Sequence, residues 1–347
     1  MTKTAIFQDK LFLEHDPGYG HVESPDRLKV IYEMLEKAEV RKRFIFPKIS
    51  PADRELIALN HTEALINQVA ATADQTFASL DGDTSTSPRS YDAACLAAGA
   101  LVDGVKLLLS EEIDNGFALV RPPGHHAEND RAMGFCLFNN VAVGARYAVE
   151  KMGVKRVMIV DWDLHHGNGT QHSFYDTDKV LYFSTHQYPY YPGSGAVSET
   201  GRGDGRGHTV NVPLTPGLGD AQYARIFNEI LTPVARQYQP ELILVSAGFD
   251  IAMGDPLGAM QVTSEGFAYM ARVLMSLAAE LCQGRLLFTL EGGYNLEAQL
   301  NGVLAVLTVL QGGDYPKEEV FKQLAASDAP LAVMQQVRDE LGAYWNI

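Results

Sequence analysis

Short, unbroken apolar runs recur along the chain and alternate with stretches whose apolar positions fall three and four apart. Residues 4–7, 117–120, 157–160, 180–185, 209–212, 242–245 and 286–290 are runs of four to six mostly apolar residues, the pattern of strands buried on both faces. Between them, Leu28, Ile31 and Leu35 make a helical stripe, and Tyr223, Ile226, Phe227, Ile230, Leu231 and Val234 make a second. Ser24 suits an N-cap and Pro25 the first helical position after it; Asp220 is expected to cap the later helix. Residues 52–75, 139–152 and 264–282 read as helices, Pro88 opens another to about Leu109, and one follows the 157–161 strand as far as Phe174. Residues 79–88 and 187–207 read as loops, and helices complete the chain. Strand–helix alternation predicts an α/β fold with a mainly parallel central sheet and helices on both faces. No repeat or linker-like break divides residues 1–347, which implies a single domain.

Polar clusters follow four of these strands, at 125–126, 161–166, 250 and 291–294. Ligand sites in open α/β sheets gather at the carboxyl ends of strands. The richest cluster is VDWDLHHGNG (160–169), where an extended backbone puts Asp161, Asp163 and His165 on one face. Two buried carboxylates beside an imidazole need a cation or strong donors, and a divalent metal is the simplest answer. A lone Asp-x-Asp reads more simply as a solvated acidic loop. Four clusters at one sheet edge argue for a site.

Composition narrows the function. The chain has 347 residues, 28 Lys plus Arg against 43 Asp plus Glu, and a formal charge of −15. That balance opposes non-specific nucleic-acid binding and adsorption to anionic membranes. The three cysteines, Cys95, Cys136 and Cys282, form no C-x-x-C pair, so neither a disulfide framework nor a thiolate zinc site is expected. No signal-peptide core and no apolar run near the roughly 18 residues of a membrane helix are read, and a cytoplasmic location is the expectation.

The motifs RPPGHHA (121–127), GFCLFNN (134–140), VDWDLHHGNG (160–169), SAGFDIAMGDPLG (246–258) and LEGGYN (290–295) resemble the histone deacetylase superfamily, which includes acetylpolyamine amidohydrolases and acetoin-utilisation proteins. Asn168 and Leu257-Gly258 look class II-like, as in bacterial histone deacetylase-like amidohydrolases. HVESPDR (21–27) is similar to that branch's HPExPxR, with Val22 in place of proline, a change expected to alter the loop more than the chemistry. The resemblance implies an arginase-like fold and Asp163, His165 and Asp250 as ligands of a catalytic Zn2+. Three protein ligands leave a position open, and the oxygen-rich set would also suit Fe(II) or Co(II). It implies tandem active-site histidines His125 and His126, backed by Asp161 and Asn168 respectively. Because asparagine carries no charge, His126 is expected to act as general base and His125 as the readily protonated electrostatic partner. Tyr294 corresponds to the tyrosine that hydrogen-bonds the substrate carbonyl. Phe135 and Tyr191 correspond to the tunnel walls, Gly134 to a close backbone approach, and Asp83 to a rim acceptor for the substrate's backbone N–H. A structural K+ near Asp161, Asp163, His165, Ser184 and Thr185 is also implied.

The reaction expected is hydrolysis of an N-acetyl group with release of acetate. Acetyl-lysine in a peptide or protein and acetylated polyamines are the rival substrates; polyamine-selective members carry a glutamate gatekeeper where this chain has Leu257, and leucine favours acetyl-lysine. An arginase-like ureohydrolase would need more carboxylate ligands for its dinuclear centre, and a non-catalytic acyl-amine binder would not need the full set of reactive groups. Oligomeric state is left open. The GRGDGRG stretch (201–207) follows no strand and opens no helix, so a phosphate-loop reading fails. His61, His172, His186 and His208 receive no role, and Cys136 reads as a buried thiol.

Overall fold

A computed structural model describes residues 2–347. The strands are β1 (Thr4–Phe7), β2 (Ala78–Ser79), β3 (Ser85–Thr86), β4 (Asn115–Ala118), β5 (Val157–Asp161), β6 (Val180–Gln187), β7 (Thr209–Leu214), β8 (Leu242–Ala247) and β9 (Leu286–Leu290). Seven of them form one parallel sheet in the order β1-β4-β9-β8-β5-β6-β7. Every residue of β4, β5, β8 and β9 is buried, as an apolar run covered on both faces by helices requires. This is the α/β sandwich expected of an arginase or deacetylase fold. Trp162, fully buried just past β5, packs its ring 5.5 Å from Phe288 and 6.4 Å from Phe227 and Phe267, joining the sheet to the helical layer.

Four local expectations change. The helix expected from Pro25 spans Asp26–Leu35; Pro25 is itself helical at the cap, and the Ser24 carbonyl rather than its hydroxyl accepts from Arg27 N–H. Leu28, Ile31 and Leu35 are fully buried. Residues 52–75 hold two short helices, Arg54–Ile57 and Glu63–Ala70, because Thr62 caps a new start. Residues 79–88 contain part of a small hairpin, β2 against β3, too short to leave a period in the sequence. Gly219 takes the cap expected of Asp220, whose carboxylate instead accepts from Thr263 N–H at 2.8 Å and Thr263 O–H at 2.6 Å.

Candidate active site

The central strands β4, β9, β8 and β5 are consecutive in the sheet, and the segments leaving their carboxyl ends carry all four polar clusters. From β5, Asp161, Asp163 and His165 follow at alternate positions; from β8 comes Asp250. Asp163, His165 and Asp250 each offer a donor atom, all within 4.8 Å of one another. His165 Nδ1 lies 3.2 Å from Asp163 Oδ1 and 3.2 Å from Asp250 Oδ2.

Backbone amides hold the other carboxylate oxygens. Gly292 N–H donates to Asp163 Oδ2 at 2.8 Å, and Leu164 N–H donates to Asp250 Oδ1 at 2.9 Å. A Cβ at Gly292 would stand 2.3 Å from Asp250 Oδ2, so only glycine lets this strand end pass. Asp250 Oδ2 itself is buried without a hydrogen-bond partner. Burial, with Asp163 beside it, pushes the Asp250 carboxyl up to about 7. Two buried carboxylates and an imidazole, one oxygen orphaned, fit a divalent cation, which would satisfy that oxygen and let both acids stay charged.

His125 and His126 leave β4 with their rings 4.0 Å apart between centroids. His125 Nδ1 meets Asp161 Oδ2 at 3.1 Å, and Tyr182 O–H donates to the same oxygen at 3.0 Å. Burial alone would lower His125, but Asp163 and Asp161 outweigh it and raise the imidazole to about 10. His126 Nδ1 meets Asn168 Oδ1 at 2.8 Å. Burial and the neighbouring His125 and His165 hold His126 well below the usual histidine range. The two rings are thus driven in opposite directions by a carboxylate behind one and an amide behind the other.

A narrow cavity of about 80 Å³ leads to this cluster. His125, His126, His165 and Tyr294 line it together with Gly134, Phe135, Tyr191, Leu257 and Asp83; Pro123 and Gly292 complete the wall. Tyr191 meets the His126 ring edge-on at 5.0 Å, and Phe135 meets Tyr294 edge-on at 6.1 Å. Asp83 stands at this wall with Oδ1 already accepting from Gly134 N–H at 3.0 Å and from the Thr84 hydroxyl at 2.8 Å. Ser184 and Thr185 lie on β6, Ser184 paired with Asp161 across the sheet, and Thr185 Oγ1 is buried without a partner.

Several residues around the site went unread in the sequence. Glu23, fully buried, accepts from both Arg121 and Arg27; Arg27 also donates to the carbonyl of Gly293 at 2.6 Å and sits 4.9 Å from the Tyr294 ring. Asp255 accepts from the N–H groups of Tyr294, Asn295 and Leu257 at 2.7–3.0 Å. Tyr190 stacks on His165 at 5.6 Å and donates its hydroxyl to the Leu257 carbonyl at 2.9 Å. Glu128 joins Asn168 to His172. The charged ones lie in or beside a quoted motif, but a charge has no sequence mark of being buried and paired; Tyr190 lies in the 187–207 loop, outside every motif.

With this geometry in hand, the family model described as Histone deacetylase domain matches residues 21–310. The chain belongs to the histone deacetylase family. It is 40% identical over 369 residues to Histone deacetylase 5 of Arabidopsis thaliana, covering 99% of this chain and 54% of that protein. It is 38% identical over 359 residues to Polyamine deacetylase HDAC10 of Homo sapiens, covering 100% of this chain and 52% of that protein. The chain therefore spans about half the length of these curated relatives. The crystal structure of the HDA15 HD domain superposes with a TM-score of 0.89 at 37% identity, covering 99% of this chain and 95% of that one. Among the described residues no helix is long and apolar enough to cross a membrane.

Proposed function

We propose that residues 1–347 act as one metal-dependent amidohydrolase unit that removes acetyl or related acyl groups from N-ε-acyl-lysine and releases acetate. The observation that carries this reading is the buried Asp163, His165 and Asp250 group, with an orphaned carboxylate oxygen, at a narrow cavity that Tyr294 and two oppositely tuned histidines also line. Zn2+ is the metal proposed, with Fe(II) or Co(II) suited to the same donors. When bound, such an ion supplies Lewis acidity at the acyl carbonyl.

The chain's own groups do the rest. His126, held neutral, takes the proton of the attacking water at Nε2, and that proton goes on to the amine nitrogen as the acyl C–N bond breaks. His125, held cationic against Asp161, stabilises the negative charge that develops. Tyr294 donates its O–H to the carbonyl oxygen as it becomes an oxyanion. Phe135 and Tyr191 enclose the four-carbon lysine stem and exclude water, Gly134 lets the backbone close on the amide, and Asp83 accepts at the rim. A K+ held near Asp161, Asp163, His165, Ser184 and Thr185 would stiffen the strand end. A cytoplasmic setting and no nucleic-acid partner complete the proposal.

Acetylpolyamines are the second reading, supported by the likeness to a polyamine deacetylase; the uncharged Leu257 at the cavity favours acetyl-lysine. A dinuclear ureohydrolase is disfavoured, since one ligand group alone gathers among the described residues. The deciding experiment loads the protein with Zn2+ and compares acetate release from an acetyl-lysine peptide and from N-acetylputrescine. Greater kcat/KM on the peptide is expected. Reversal selects the polyamine reading; metal binding without acetate from either selects a non-catalytic binder.

A further inference from the structure

An asparagine behind a catalytic histidine leaves a problem that an aspartate does not. The oxygen and nitrogen of an amide are nearly the same size, so a free asparagine can turn either one toward the ring. With Oδ1 toward His126, the imidazole carries its proton on Nδ1, and Nε2 keeps a lone pair. With Nδ2 toward His126, the proton moves to Nε2 and the base is lost. Something beyond Asn168 has to choose.

Glu128 stands in that place. Its Oε1 accepts from Asn168 Nδ2 at 2.5 Å, while His172, half exposed, points Nδ1 at the same carboxylate from the outside at 2.9 and 3.0 Å. Burial would raise the Glu128 carboxyl, but its bonds to His172 and Asn168 lower it on balance, so it is ionised and accepts only. The other atoms around Asn168 Nδ2 are acceptors too, at longer range: the His126 carbonyl at 3.3 Å and Met133 Sδ at 3.5 Å. From the outside inward, His172 donates to Glu128, Asn168 Nδ2–H donates to Glu128, and His126 Nδ1–H donates to Asn168 Oδ1.

We propose that Glu128 is a positioning residue that sets the tautomer of His126 by fixing which way the Asn168 amide faces. The role of His126 rests on the deacetylase reading above; the tautomer does not. The chain places one negative charge two steps behind the ring instead of one, which keeps His126 neutral while still dictating where its proton sits.

Glutamine at 128 keeps the shape but no longer forces acceptance, so Glu128→Gln is expected to lower kcat about tenfold, with KM within about twofold. Asn168→Asp alone puts a carboxylate against Glu128 and is expected to be worse than either wild type or the pair. Asn168→Asp combined with Glu128→Gln restores a fixed acceptor next to His126, so the pair recovers kcat above Glu128→Gln. Imidazole 1H–15N spectra of the intact protein follow the same logic without turnover: Nδ1–H at His126 in wild type, a mixture in Glu128→Gln, and Nδ1–H again in the double variant. An Nε2–H wild-type His126, an unchanged Glu128→Gln, or a pair no better than Glu128→Gln each overturns the proposal. Absence of acetate release by the wild-type protein defeats the deacetylase reading instead and leaves the spectra to judge the tautomer.

Discussion

The Tyr294 hydroxyl has one chemical task in the proposed reaction, and its surroundings keep it able to perform it. Burial, outweighing the nearby Arg27, raises the phenol well above its ordinary value, so the O–H stays protonated and donates. Loss of a single oxyanion donor costs about 2.7–4 kcal/mol of barrier, so Tyr294→Phe should lose roughly 100–1000-fold in kcat with little change in KM. Near-full turnover would remove Tyr294 from catalysis. Asp250→Asn should leave the fold intact yet cost the protein its stoichiometric divalent metal after dialysis, read by elemental analysis; full retention would mean the ion sits elsewhere. Asp163 and His165 were legible from the cluster of acids and imidazoles that follows the β5 run, although β5 itself ends at Asp161, and Asp250 because it follows another apolar run. Asp255 was not, since two of its three N–H partners, Tyr294 and Asn295, come from a distant segment that only the fold brings beside it.

At the scale of elements, the cavity wall depends on a hairpin that the sequence hides. Phe135 sits in the left-handed region, φ 68°, a conformation that costs a non-glycine residue about 1–2 kcal/mol. Two bonds hold it there: Asp83 accepts from Gly134 N–H, and Thr84 Oγ1 accepts from Phe135 N–H at 3.0 Å. Thr84 lies in the turn between β2 and β3 and accepts the N–H of Leu80 at its own carbonyl, so the hairpin braces the wall from outside. Thr84→Val, nearly the same shape without the acceptor, should cost about 1 kcal/mol of stability and raise KM about fivefold, with kcat hardly moved. A drop in kcat with unchanged KM would place the effect in the reacting groups and not in the wall. Two-residue strands carry no hydrophobic period, which is why residues 79–88 read as loop while the five-residue β5 and β9 ended where expected.

Across the whole molecule, the alternation of strands and helices announced a parallel sheet but not its order, because long connections place β9 between β4 and β8. One buried ionic cluster locks that arrangement. Glu23 from the amino-terminal loop accepts from Arg121 beyond β4 and from Arg27, and Arg27 donates onward to the carbonyls of Glu291 and Gly293 beyond β9. All three charged side chains are fully buried. Burial would raise the Glu23 carboxyl, but Arg121, His15 and Arg27 together hold it well below its ordinary 4.5. A carboxylate depressed in the fold stabilises it at every pH above its unfolded value, and that contribution fades as pH falls from there toward the folded value. Glu23→Gln leaves two arginines buried without their anion, so it should lose about 3–5 kcal/mol at neutral pH. As pH falls below the unfolded carboxylate value of about 4.3, the unfolded chain takes up a proton while folded Glu23 stays charged, so the wild-type advantage shrinks steadily toward the folded value. Urea midpoints measured from pH 7 to pH 3 should therefore lie far apart and nearly parallel down to about pH 4.3, then draw steadily together. Curves parallel over the whole range would mean that Glu23 keeps its place by shape alone and that the charge joining the first loop to the ends of β4 and β9 contributes nothing to holding the site together.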